Sequence, residues 1–146
     1  MLSDAEIEFL TTERVARIAT VNVKDKSPHL VPVCFAFDGK AFVTTLGVGS
    51  KRLRNVEQGS NVAILVDKYE EERGRWKVLR GILIYGNIKT LTFQENRDEF
   101  MYGWKLLIQK YPQYKQWAKP DFTPRDPEKR VIMKIKPTKT IRWSFE

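Results

Sequence analysis

"PHLVPVCFAFDGKAFVTTL", residues 28–46, consists of two runs rich in β-branched and aromatic residues joined by Asp38-Gly39. Asp-Gly supplies the positive φ values of a tight hairpin, so the spacing predicts a strand over 28–37, a turn, and a returning strand over 40–46. Pro32 falls inside the first run and cannot donate a ladder hydrogen bond. It therefore belongs at a sheet edge or at a bulge, and either one opens the sheet locally.

Outward from this hairpin, β signals dominate. "RVARIATVNV" (14–23) alternates side chains like a strand and is followed by the polar turn "KDKS". "NVAILVD" (61–67) is a continuous apolar run, read as a buried strand, and "KYEEERGR" (68–75) as a solvated loop. "WKVLRGILIYGNIKTL" (76–91) is a long strand pattern interrupted by Gly81 and Gly86, which suggests the bulges or bends that close barrels. "RVIMKIKPTKTIRWSF" (130–145) gives two strands broken at Pro137.

Helical signals are fewer. Ser3 with Glu6 three residues on forms a capping-box pattern at the start of a short amphipathic helix. "SKRLRNVEQ" (50–58) reads as a short helix capped by Ser50 and stopped by Gly59. Phe100, Met101, Trp104, Leu107 and Ile108 recur at helical spacing, making 94–110 the one substantial amphipathic helix. The proline- and aromatic-rich tract 111–129 is irregular, either a mobile flap or a connector packed by its own aromatics. The sum is an α+β, mainly β protein: an antiparallel barrel with short flanking helices, in one domain over 1–146.

Composition narrows the chemistry. At 146 residues with 42% hydrophobic residues, one domain can bury a real core. The single cysteine, Cys34, reads as a small core hydrophobe; it cannot form an internal disulfide and points to a reducing interior. No basic-then-apolar leader and no long apolar run is visible, so a soluble cytoplasmic protein is expected. With one histidine, His29, and no G-x-S-x-G, a hydrolytic triad finds no support. No G-x-G-x-x-G after a strand, no Walker motif and no cluster of metal-ligating residues is present, and no metal is expected. Lys plus Arg number 26 against 18 Asp plus Glu, and the net charge of +8 attracts anions: phosphorylated cofactors, nucleic acid or membrane surfaces.

One stretch breaks a local rule. In "GVGSKRLRN" (47–55), Lys51 and Arg52 occupy the first turn of a helix, where the backbone dipole disfavours cations. A bound anion offsets that placement. The Ser50 hydroxyl, free backbone N–H groups and both cations would then converge on one point, with Thr44 and Thr45 a few residues away and Gly47 and Gly49 letting the backbone come close. A phosphate monoester fits such a cradle.

The order "RIATVN", "PHLVPVCFAFDGKAFVTT", "SKRLRNV", "NVAILVD", "WKVLRGILIYGNIKTL" resembles the flavin-binding split β-barrel group related to pyridoxamine 5′-phosphate oxidase. The resemblance covers about residues 10 to 93 and, more loosely, the C-terminal strands. It implies a six-stranded split barrel that forms a homodimer, with FMN in a cleft between subunits. It further implies that Ser50, Lys51 and Arg52 cradle the phosphate, that Thr44 and Thr45 supply strand-end hydroxyls, and that Val31, Pro32 and Val33 pass the isoalloxazine edge with backbone contacts. Trp143 would reach the flavin from the partner chain. The segment "KTIRWSFE" lacks the basic ending that grips substrate phosphate in the oxidases proper, which makes the vitamin-pathway reaction doubtful; relatives also use F420 or bind haem. The expectation is an FMN-binding oxidoreductase acting on a small-molecule substrate or electron donor, with no catalytic side chain identified. The alternatives are an F420-dependent reductase, a flavin-binding protein without turnover, or a basic barrel that stacks nucleic acid on Trp104, Tyr114 and Trp117. Lys134, Lys136, Lys139 and Arg142 either recruit a phosphorylated substrate or form a solvated strand face.

Overall fold

The computed structural model describes residues 2–144. The chain runs α1 (Asp4–Thr12), β1 (Ala16–Val21), β2 (Pro28–Val33), β3 (Ala36–Phe37), β4 (Phe42–Gly47), α2 (Lys51–Glu57), β5 (Ala63–Glu72), β6 (Arg75–Leu91), α3 (Arg97–Lys110) and β7 (Arg130–Trp143). A 3-10 helix, Pro112–Trp117, follows α3. The strands form one antiparallel sheet in the order β2-β1-β5-β6-β7-β4-β3, curled but not closed, which is a split barrel.

The described residues form seven strands where the resemblance implied six; against the sequence pattern the run 28–37 is two strands and not one, while 130–143 is one and not two. β2 pairs with β1 at one edge of the sheet and β3 pairs with β4 at the other, so residues Cys34 and Phe35 carry the chain across the open seam. Pro32 lies on the edge strand, opposite Arg17, where no second ladder needs its missing N–H. The Asp38-Gly39 turn is looser than a two-residue hairpin. Only Gly39 has positive φ, at 93°, while the Asp38 carboxylate accepts from the N–H groups of Lys40 and Ala41, both at 2.8 Å.

Two further expectations are corrected. The charged run 68–75 is a hairpin arm: β5 continues to Glu72 and β6 begins at Arg75, with Arg73 and Gly74 turning at φ 52° and 76°. Both faces of the arm meet water, so the run carries no apolar alternation to betray it. Residues 130–143 form one continuous strand. Pro137 is accommodated because β4 pairs only up to Ile135, leaving that side of β7 without a ladder, and a bulge at Tyr85/Gly86 absorbs the bend. Gly86 is required there, since a Cβ would stand 2.3 Å from the Lys136 carbonyl oxygen.

Strand alternation divides the core in two. Ile18, Phe35, Phe42, Leu46, Ile64 and Ile84 fill the barrel, with Phe9 and Leu10 of α1 packed against them. Ser3 caps α1, but Glu6 does not complete the capping box; it is buried and pairs with Arg142 Nε at 2.8 Å, tying α1 to β7. On the outside, Phe100, Trp104, Leu107 and Ile108 of α3 cover Val43, Leu91 and Ile132. Gly103 permits this approach, a Cβ there falling 3.3 Å from Val43.

Tyr111, at the end of α3, pins the seam. Its hydroxyl accepts from Phe35 N–H at 3.1 Å, and its one hydrogen serves the carbonyl of Arg14 (2.6 Å) or of Phe35 (2.8 Å). Burial pushes its pKa up to about 12, keeping it a donor throughout the physiological range. Tyr111→Phe leaves buried peptide groups unsatisfied and is expected to cost about 1–3 kcal/mol. Urea unfolding measures this, and an unchanged midpoint would remove the seam role.

Candidate functional site

Three elements meet beside the seam: the end of β4, the loop into α2, and the 3-10 helix. The loop is held by Gly49 at φ 86° and by Val48 N–H donating to the Lys129 carbonyl at 3.1 Å. Ser50 caps α2, its Oγ accepting from Leu53 N–H at 3.3 Å while its O–H hydrogen stays available. With only seven residues, α2 adds little dipole of its own, so side chains decide what this site can hold.

Arg52 is the distinctive one. It is half-buried against the 3-10 helix, and its Nη1 has no hydrogen-bond partner among the described residues. Burial lowers the guanidinium's pKa, and proximity to Tyr114 works in the opposite direction. The Tyr114 hydroxyl lies 3.3 Å from Thr45 Oγ1 and also contacts the Cys34 thiol; its pKa is raised, chiefly by burial. Arg130, paired with Gly47 across the strands, lies 5.0 Å over the Trp117 ring and favours the Tyr114 phenolate. Arg52, Thr45, Tyr114 and Arg130 therefore form a cationic, hydroxyl-lined corner without a carboxylate partner for either guanidinium among the described residues.

The other expected residues are placed as follows. Lys51 is exposed and leaves the helix in a different direction, as adjacent helical positions must. It faces the turn after β1, where it helps lower the pKa of Asp25, held down mainly by hydrogen bonds from Ser27. Thr44 is buried on the barrel side, and its hydroxyl donates to the Cys34 carbonyl at 2.7 Å; alternation leaves only Thr45 facing the corner. That bond nevertheless ties the strand Val31, Pro32, Val33 to the same region, because Cys34 directly follows it. Trp143 lies at the far end of β7 from Arg130, about 40 Å of strand away, and packs over Gly81. One copy of the chain cannot bring Trp143 to Arg52. Of the basic residues near the C-terminus, Lys134 pairs with Glu99 and Arg142 with Glu6.

Sequence reasoning passed over Tyr114 and Arg130 as members of this corner. Tyr114 sits in a tract without regular periodicity, and only its aromatic density marked it. Cys34 is half-buried against the α3 core, as a small apolar residue would be, and additionally meets Tyr114.

A second surface stands out. Among the described residues no helix covers the outer face of β2, β1, β5 and the first half of β6. Rows of paired residues run across it, Leu30–Ala19–Ala63–Tyr85 and Leu65–Leu83–Ile141, with Leu79 and Trp143 beside them. Leu30 is 66% exposed and Trp143 49%. These apolar side chains meet water in rows and not singly.

At the seam itself, Lys110 Nζ lies 3.9 Å over the Phe35 ring without a hydrogen-bond acceptor among the described residues. Burial, with help from Arg14, pushes its pKa down to about 8. The folded state thus resists protonation of this amine. Its cost is fully present below pH 8 and is relieved as pH rises toward the ordinary lysine value of 10.5. Lys110→Met is expected to raise Tm at pH 7 and to lose that advantage by about pH 10. Paired thermal melts across this range check it, and a pH-independent difference would contradict it.

The family model for pyridoxamine 5′-phosphate oxidase matches residues 2–144. Among solved structures, a conserved hypothetical protein from Mycobacterium tuberculosis is 21% identical with TM-score 0.73, covering 98% of this chain and 85% of that one. An F420 reductase is 20% identical with TM-score 0.68, covering 96% and 98%. An FAD-binding protein from Mesorhizobium loti is 22% identical with TM-score 0.64, covering 97% and 94%. At these identities the likeness is one of fold. No curated protein matches the chain.

Proposed function

The chain belongs to the pyridoxamine 5′-phosphate oxidase family, and from that premise we propose that it is an oxidoreductase that works through FMN held between two copies of itself. The observation that carries this reading is the buried, unpartnered Nη1 of Arg52. An uncompensated polar atom at the corner where Thr45 and Tyr114 offer hydroxyls is a strained arrangement for an empty surface and a fitting one for a phosphate. Arg52 would neutralise and orient the phosphate and the Ser50 hydroxyl would donate to it, while Lys51, turned toward Asp25, would stand outside the cradle. The backbone of Val31 to Val33, on an edge strand whose outer side carries no ladder, is free to bond a polar ring edge. Bound flavin supplies the hydride or electron transfer; the protein supplies position and electrostatics.

The bare sheet face supports the dimeric half of the proposal. A second copy seated there would cover the apolar rows and bring its Trp143 toward this chain's cofactor region, which no single chain achieves. The same cradle accepts the phosphodiester of F420, so both cofactors belong in the first titration. Localisation in the cytoplasm agrees with a reduced Cys34 and with no helix long and apolar enough to cross a membrane among the described residues.

Arg52→Ala removes a charge-assisted contact of about 1.5–3 kcal/mol. FMN affinity should fall roughly 10- to 100-fold while riboflavin, which has no phosphate, binds as before. Equal losses for both ligands would sink the cradle. Separately, Tyr85→Glu places a charge in the middle of the bare face and should convert a sedimenting dimer into a folded monomer; a variant that still sediments as a dimer moves the interface elsewhere.

A further inference from the structure

The tract that follows α3 contains a second concavity that the flavin reading leaves unused. Its frame is tightly bonded. Lys119 N–H donates to the Thr123 carbonyl and Phe122 N–H to the Lys119 carbonyl, both at 2.8 Å, and Arg125 N–H donates to the Trp117 carbonyl at 2.9 Å. Asp121 is turned onto Thr123, accepting from its hydroxyl at 2.6 Å. The buried Trp104 donates its indole N–H to the Phe122 carbonyl at 2.9 Å.

Within this frame Phe122 has φ 71°, a left-handed conformation that a bulky residue adopts only when its surroundings impose it. The strain is not spent on burying the ring, which remains 45% exposed. Phe122 stands between a cavity of about 370 Å³, lined also by Lys115, Lys119 and Arg125, and a smaller one of about 180 Å³ beside Lys105. None of these four cations forms an ion pair among the described residues, and no carboxylate lines either cavity. An exposed aromatic face on a tightly bonded backbone, with cations around it that form no ion pair among the described residues beyond the pull of Lys119 on the neighbouring Asp121, recognises a flat ring that carries an anion. The larger cavity lies within the size range of small-molecule sites.

We infer that this concavity binds a phosphorylated heterocycle of the mononucleotide class, its ring stacked on Phe122 and its phosphate held by Lys115, Lys119 and Arg125. The source of that chemistry is either a free nucleotide, including the nucleotide half of a soluble electron donor, or a residue of single-stranded nucleic acid. The concavity shares none of its lining residues with the Arg52 corner, although both are built on the 3-10 helix, and its argument does not depend on the flavin.

The test is an NMR titration of the FMN-saturated protein with AMP, following the Trp104 indole N–H and the backbone amides of 119–125. These reporters belong to this site, and the same titration on the Arg52→Ala chain keeps the result independent of cofactor binding. AMP should shift them saturably, with adenosine and inorganic phosphate each at least about tenfold weaker. Phe122→Gly separates binding from folding, because glycine takes a φ of this sign freely. It should melt no lower than the parent yet bind AMP about tenfold or more weakly, as should Arg125→Ala. Absent shifts at millimolar AMP, or a Phe122→Gly chain that melts lower and binds AMP unchanged, would overturn the proposal. A short single-stranded oligonucleotide that displaces AMP far more tightly, with steep salt dependence, would make nucleic acid the source; one with no advantage over AMP assigns the site to free nucleotide.

Discussion

The seam at Cys34 and Phe35 is the constraint on which the rest depends. Two residues link the opposite edges of a seven-stranded sheet, so the sheet must curl until β2 and β3 come within that reach. Peptide groups at such a crossing have no ladder partners, and the Tyr111 hydroxyl meets those of Phe35. Anchoring Tyr111 in turn sets the end of α3, and with it the start of the 3-10 helix that brings Tyr114 against Thr45 and Arg52. The Thr44 bond to the Cys34 carbonyl closes the same circuit from inside the barrel. A fold-defining crossing and a candidate cofactor corner are thus built from neighbouring atoms.

The distribution of charge follows a similar logic. Where cations serve the fold they are partnered: Arg17 with Asp67, Lys89 and Lys134 with Glu99, Arg142 with the buried Glu6. Among the described residues Arg52, Lys110 and Arg130 form no ion pair with a carboxylate, Glu13 acting on Lys110 only from a distance, and two of the three have a nitrogen buried without an acceptor. Buried polar atoms are normally satisfied, so two orphan cations around one seam single out the region more sharply than the overall surplus of +8 does. The sheet shows the same asymmetry in apolar form. α3 covers one half of its outer surface and no element among the described residues covers the other.

Much of this architecture was legible in the residues. Alternation marked β1, the Asp38-Gly39 turn marked β4, a continuous apolar run marked the start of β5, and the spacing of Phe100, Trp104, Leu107 and Ile108 marked α3. The family resemblance read from short ordered motifs agrees with the match over residues 2–144. What escaped were features whose cause lies outside the local stretch. The hairpin arm beyond Asp67 has no buried face, so no hydrophobic period announced it. The break between β2 and β3 is a property of closure, and Pro137 stays in a strand because β4 happens to end before it.

The candidate site divides in the same way. The sequence by itself determined which chemical groups are available: a hydroxyl-and-cation loop after a strand, an edge strand marked by Pro32, and a surplus of positive charge. Those follow from residue type and near-neighbour spacing. Only the tertiary structure decided that Lys51 and Arg52 diverge, that Thr45 and not Thr44 faces the corner, that Tyr114 and Arg130 join it, and that Trp143 lies out of reach within one chain. Direction and distance between residues far apart in sequence are set by how the sheet curls and what packs on it, and no local pattern encodes that.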